Sequence, residues 1–168
     1  FTSSSEIYGF TKKFPLMEND WGIVNPNGVR SCYVEGKRIA ESLTFDFQRT
    51  HGLNVCVARI FNTYGPRMRT ADKRVISEFI FSALNNKNLM IFGDGCQTRS
   101  FCYVDDTVNG LLALAYKKIS GPVNIGSSEE ISINKLAKII LKKIKSNSKI
   151  VYKNAKADEP SRRWPSID

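Results

Sequence analysis

The chain has 168 residues, of which 42% are hydrophobic and 24% charged, with a formal net charge of +9. That length supports one domain with a real core, and the most apolar runs, such as residues 110–116, are too short to span a bilayer. The positive surplus favours anionic partners, yet no DNA- or RNA-binding signature accompanies it, so nucleic acid is not the expected partner.

Residues 1–3 read as the end of a strand, and 15–30 as a loop rich in Pro, Gly and Asn. A helix is predicted from Tyr33 to Arg49, with Ile39, Leu43 and Phe47 on one side and His51-Gly52 closing it. Those three apolar side chains suit either the protein's own core or a partner subunit. NVCVARIF at 54–61 is a β-branched apolar run of the kind found in buried parallel strands. Residues 75–84 predict a helix followed by Asn85-Asn86, and 89–92 a short strand stopped by Gly93-Asp94-Gly95. Next come a helix over 105–117 that Asp105 or Asp106 can cap, and a strand over 123–125. A helix over 132–145, capped by Ser132 or Ser128, precedes a last strand at 149–152. Within 135–149, KLAKIILKKIKSNSK, the residues Leu136, Ile139, Ile140 and Ile144 recur at helical spacing, which leaves the lysines on a solvated face.

Helices alternating with buried strands indicate an α/β fold. A dinucleotide-binding unit carries a Gly-rich turn after its first strand. Neither GxGxxG nor GxxGxxG occurs in these 168 residues. The chain opens on Phe1 rather than Met and closes in a polar, Pro-containing stretch. The expectation is a C-terminal portion of a longer protein, poor at binding a dinucleotide and inactive by itself. The four cysteines, Cys32, Cys56, Cys96 and Cys102, form no CxxC pair, and His51 is the only histidine, so no zinc pattern exists. Reduced, mostly packed thiols are expected.

The chemistry-bearing segment is Tyr33-Val34-Glu35-Gly36-Lys37. Tyr and Lys four apart share a helix face. An ammonium beside a phenol stabilises the phenolate, and a tyrosine so tuned can take a proton from a hydroxyl as hydride leaves its carbon. YxxxK alone is a weak signal, and its surroundings strengthen it. Upstream stands TSSSEIYG at 2–9; downstream stand ARIFNTYGPRM at 58–68 and FGDGCQTRSFCYVDD at 92–106.

This order of motifs resembles the extended short-chain dehydrogenase/reductase family of nucleotide-sugar enzymes. Trp21-Gly22, Asn25-Pro26, the run 30–38, Arg67-Met68 and residues 121–126 look most like its branch that decarboxylates UDP-glucuronate. The resemblance implies the C-terminal part of an NAD-binding Rossmann-like doubly wound fold plus a small substrate-binding α/β region. Residues 1–66 would finish the NAD-binding domain, and 67–168 would mainly bind the nucleotide sugar. It implies NAD as cofactor, a UDP-sugar as substrate, a homodimer, and a cytoplasmic enzyme, or a Golgi-lumenal one if an anchor precedes it.

By the same resemblance Tyr33 is the base, and Lys37 its electrostatic partner and a ligand of the nicotinamide ribose. Ser4 hydrogen-bonds the reacting hydroxyl. Thr63 and Arg74 lie near the cofactor. Asn62, Arg99 and Arg163 contact the nucleotide sugar, although Arg163 stands in RRWPS where the family more often has a Lys-Pro-Asp pattern. Val34 replaces a usual aspartate. Dehydratases of the family carry Asp-Glu where this chain has Ser5-Glu6, and epimerases usually a small or hydroxyl residue in place of Glu6. Ser5 and Glu6 therefore fit decarboxylation, in which they position the ring and move a proton. A 4-epimerase, a 4,6-dehydratase and a non-catalytic fragment are the alternatives.

Overall fold

The computed structural model describes residues 1–69, 72, 74–117, 119–155 and 160–167. In chain order these form β1 (Thr2–Ser4), a 3-10 turn (Ser5–Tyr8), α1 (Ser31–His51), β2 (Val57–Ile60), β3 (Asn62–Tyr64) and α2 (Val75–Leu84). They continue as β4 (Leu89–Phe92), β5 (Thr98–Tyr103), α3 (Val104–Tyr116), β6 (Pro122–Ile125) and β7 (Glu130–Ser132). α4 (Ile133–Ile144), β8 (Ile150–Lys153) and β9 (Arg162–Arg163) complete the chain.

The apolar run expected to be buried is the middle of a parallel sheet, ordered β1-β2-β6. Its strand is shorter than the run: residues 54–56 lead into it, with the Cys56 carbonyl accepting from the amino group of Phe1 at 2.8 Å. Ala58 faces Thr2 on one side and Val123 on the other. Val57 and Ala58 are buried, as a strand covered on both faces requires. Since β6 comes from residues 122–125, this sheet draws on both halves of the chain.

Helix α1 ends where Gly52 takes φ 66 and returns its N–H to the Gln48 carbonyl, a left-handed stop that glycine adopts without steric cost. The helix buries little besides Val34 and Glu41. Ile39, Leu43 and Phe47 are 62%, 53% and 53% exposed, so they face away from the chain's own core.

A second core holds α2 and α4 against β4: Phe79, Ala83, Leu89, Ile91, Leu136, Ala137 and Ile140 pack together. β4 pairs only with β8 among the described strands, in parallel. Ser132 caps α4 by accepting from the Lys135 N–H at 3.2 Å. The lysines of α4 point outward as expected; Ile139 does too, at 41% exposure, because it falls between Lys135 and Lys143 on the helix surface. α3 starts one residue earlier than its spacing implies. Asp105 and Asp106 therefore sit inside its first turn, where they complement the helix dipole instead of capping it.

Four strands, β3, β5, β7 and β9, are not signalled by the sequence. Three are two or three residues long, and β5 (TRSFCY) mixes polar and apolar side chains without clean alternation. All four cysteines are free. Only Cys102 is fully buried, and Cys32 and Cys96 are exposed, so the thiols are less packed than expected.

Behind the sheet lies a buried polar network. Arg59 on β2 donates to both carboxylate oxygens of Glu41 on α1, Nη2 to Oε2 at 2.8 Å and Nε to Oε1 at 3.1 Å. Its Nη1 also donates to the Tyr8 hydroxyl at 3.0 Å and the Glu18 carbonyl at 2.8 Å. Tyr8 in turn donates to Asn124 Oδ1 at 2.7 Å. Burial pushes the Tyr8 phenol up to about 12, outweighing the lowering effect of the Arg59 cation.

Two outcomes are expected. Glu41→Ala strands a buried guanidinium and lowers stability by about 3 kcal/mol in urea denaturation. For Tyr8 the folded value lies above the unfolded one of about 10, so its contribution is complete below pH 10 and is lost as pH rises toward 12. Denaturation midpoints across that window should fall more steeply in the wild type than in Tyr8→Phe.

Candidate active site

Tyr33 and Lys37 sit in the first turns of α1, one helical repeat apart. The Lys37 ammonium is 6.0 Å from the centroid of the Tyr33 ring and 5.1 Å from that of Phe1. It is steered there by donating to the carbonyl of Thr2 on β1 at 2.9 Å. The Tyr33 ring is 46% exposed and open to a ligand.

The carboxyl end of β1 delivers Ser4, Ser5 and Glu6. Ser4 closes the strand, and its Oγ accepts from the Glu6 N–H at 3.2 Å, which fixes the start of the 3-10 turn. Ser5 is buried. Gly9 ends the turn at φ 54, where a Cβ would collide with the Ile23 carbonyl, so the loop carrying Arg30 lies close over the turn. Glu6 meets two arginines. Arg30 Nε and Nη2 reach its two oxygens at 2.7 and 2.5 Å, and Arg163 Nη1 lies 3.6 Å from Oε1.

Next to Glu6 opens a cleft of about 570 Å³. β3 contributes Asn62 and Thr63, β5 contributes Arg99, β9 Arg163, and the start of α2 Arg74. Arg99 is 5% exposed and faces Arg163 across the parallel β5–β9 pairing. Its Nη1 donates to the Thr98 carbonyl at 2.7 Å. Arg74, the N-cap of α2, pairs with Asp72 at 3.0 Å. Thr63 Oγ1 shares a hydrogen bond with Thr107 Oγ1 at 3.0 Å. Asn62 Oδ1 is buried with no hydrogen-bond partner. Met90, Phe92 and Phe101 supply apolar wall.

The structure thus gathers Glu6, Asn62, Thr63, Arg74, Arg99 and Arg163 around one cleft. Tyr33, Lys37, Ser4 and Ser5 lie outside its lining; Lys37 is held on the Thr2 carbonyl, and Arg30 of the lining lies 6.0 Å from the Tyr33 ring centroid. Arg74 shares the cleft with residues expected to hold the nucleotide sugar. Arg30 and Gln97 line the wall too and were assigned no role from sequence. Both had a signal: Arg30 stands three residues before Tyr33, and Gln97 lies within the 92–106 motif. The lining carries a cationic surplus, with four arginines against the two carboxylates of Glu6 and Glu78. Such a wall suits a polyanionic ligand with an apolar ring.

A buried carbonyl without a hydrogen-bond partner costs its desolvation without return. Asn62→Leu should therefore leave the free energy of unfolding unchanged or raise it by no more than about 1 kcal/mol, with the thermal midpoint kept or raised accordingly. A marked fall in calorimetry would show that Asn62 supports the fold.

The geometry has close counterparts. UDP-glucuronic acid decarboxylase 6 of Arabidopsis thaliana is 49% identical over 166 residues, covering 99% of this chain and 48% of that protein. The chain spans about half the length of the curated relatives it matches. Among solved structures, the UDP-N-acetylglucosamine 4-epimerase of Methanobrevibacter ruminantium M1, in complex with UDP-N-acetylmuramic acid, superposes with a TM-score of 0.93 at 28% identity over 99% of this chain and 53% of that one. The UDP-glucuronic acid 4-epimerase of Bacillus cereus, in complex with UDP-glucuronic acid and NAD, gives a TM-score of 0.86 at 28% identity over 99% of this chain and 51% of that one. The parallel sheet with its YxxxK helix is accordingly a Rossmann-like one. The family model matches residues 1–126, three quarters of the sequence including both the Tyr33 helix and the β1 terminus, and on that ground the chain belongs to the NAD dependent epimerase/dehydratase family.

Proposed function

We propose that the protein carrying this chain is an NAD-dependent decarboxylase that converts UDP-glucuronate to UDP-xylose. The observation that carries the reading is the Lys37 ammonium 6.0 Å from the Tyr33 ring, held on the Thr2 carbonyl of the strand that runs into Ser4-Ser5-Glu6. The decarboxylase name of relatives that match 99% of the chain supports the same choice of reaction.

The residues present fit the nicotinamide end of NAD. A half-exposed phenol and an ammonium share one side of α1, and the ammonium is held on the Thr2 carbonyl of a parallel strand that ends in Ser4. The Gly-rich turn that would hold the pyrophosphate of NAD is not in this sequence. When bound, NAD supplies a hydride acceptor for carbon 4 of the sugar and returns that hydride later in the cycle.

The chain's own groups do the acid-base work and the positioning. Tyr33 takes the proton of the 4-hydroxyl, and Lys37 stabilises the charge that collects on the phenol oxygen. Ser4 orients that hydroxyl. A ketone at carbon 4 makes the uronate a β-keto acid, whose carboxylate leaves as carbon dioxide without an acid on the leaving group. Ser5 and Glu6 hold the ring and return a proton to carbon 5. Ser5 is a poor acid, which argues against expulsion of a hydroxyl. Arg99, Arg163 and Arg74 supply positive charge for the pyrophosphate of the UDP moiety, and Asn62 offers its unsatisfied carbonyl. Thr63 lies where cofactor and sugar would meet. The exposed Ile39, Leu43 and Phe47 of α1 support a homodimer through that helix.

The natural protein incubated with UDP-glucuronate and NAD should release carbon dioxide and UDP-xylose. Formation of UDP-galacturonate instead would identify a 4-epimerase, and a dehydrated sugar a dehydratase. Tyr33→Phe should cut kcat by about 10²- to 10⁴-fold and leave UDP-glucuronate binding, read by calorimetry, nearly unchanged. Full turnover in that variant would refute the role of Tyr33.

A further inference from the structure

The proposed chemistry gives Glu6 a task at the sugar ring, and a neighbouring side chain holds that carboxylate in place. We infer that Arg30 is a positioning residue that acts through Glu6, locking both carboxylate oxygens at the cleft wall; this inference rests on the function proposed above.

Arg30 is the last residue before α1 and so projects from the helix that bears Tyr33. Its Nε donates to Glu6 Oε2 at 2.7 Å and its Nη2 to Oε1 at 2.5 Å. This is the two-pronged contact that a planar guanidinium makes with a carboxylate and that an ammonium cannot reproduce. Arg163 approaches the same Oε1 at 3.6 Å from β9, a strand far away in sequence. Glu6, Arg30 and Arg163 all line the cleft.

Burial indicates what the contact does. The Arg30 side chain is 52% exposed and that of Glu6 14%. An ion pair with one partner so open adds little to stability. What it provides is orientation. Glu6 has three rotatable side-chain bonds, and its backbone is tied only at the turn, by its N–H to Ser4 Oγ and its carbonyl to the Gly9 N–H. The two prongs of Arg30 select one rotamer and turn the carboxylate to the cleft. The same guanidinium lies 6.0 Å from the Tyr33 ring centroid. Arg30 therefore sets the spacing between the phenol that works at carbon 4 and the carboxylate that works at carbon 5.

A residue that acts only through Glu6 has nothing left to do once Glu6 is gone, and a double-mutant cycle reads this directly. In the natural protein, Arg30→Gln should lower kcat for UDP-glucuronate by about 10- to 100-fold with KM within about threefold. Arg30→Lys should recover part of that loss. Arg30→Gln combined with Glu6→Gln should be no slower than Glu6→Gln alone. Multiplying losses in the double variant, or a raised KM with kcat kept, would mean that Arg30 touches the substrate itself and would overturn the inference. If Arg30→Gln does not fold, the cycle is run with Arg30→Lys and read in the same way. Turnover to a product other than UDP-xylose refutes the decarboxylase reading, while the cycle still reports Arg30 on that reaction. No turnover of UDP-glucuronate by the wild type overturns both.

Discussion

The contact between Arg59 and Glu41 joins the two elements whose relative placement the whole site needs. A charged pair behind a sheet is expensive to bury, and it persists here because every prong of the guanidinium has a partner. The consequence is geometric. α1 is anchored to β2 midway along its length, at Glu41, one turn beyond Lys37. The other prongs hold Tyr8, at the end of the turn that begins with Ser5, and the loop at Glu18. Through Tyr8 the network reaches Asn124 on β6, and through Asn124 the carbonyls of Leu16 and Ser166. The YxxxK helix, the β1 terminus and the C-terminal stretch are thus referenced to one buried cation.

The cleft depends on a different device. β9 is two residues long and would be no strand by itself, yet its register on β5 sets Arg163 opposite Arg99. Beside it, Arg162 forks onto Glu130 of β7 at 2.6 Å to each oxygen, and that cation holds the Glu130 carboxyl below its ordinary range. β7 pairs with β5 as well. β9 is therefore held by backbone pairing along β5 and by a side-chain clamp to β7, and Arg163 is carried to Glu6 as a result.

How much of this was readable in advance varied with the kind of signal. Long, strongly periodic elements were: α1, α2 and α4 were recognisable from apolar spacing, and β2 from its β-branched run, because burial of one face writes itself into local sequence. The closing Gly52 was legible since only a left-handed residue ends a helix that way. β5 was not, because its side chains obey three neighbouring strands instead of one alternation. Arg30 and the Arg59 network stayed hidden for the same reason: an arginine's role depends on what lies within reach, and their partners stand 24 and 18 residues away.

From the order of its residues alone, the chain declared an α/β fold and a phenol and an ammonium one helical turn apart, since i to i+4 spacing is a property of any α-helix. Motif order added the family. Tertiary structure alone decided which carboxylate meets which guanidinium, that Ile39, Leu43 and Phe47 face outward, and that six residues scattered from Glu6 to Arg163 border one cleft. Those facts arise from strand register and from which buried charges find partners. Both are settled by contacts distant along the chain, which no local pattern encodes.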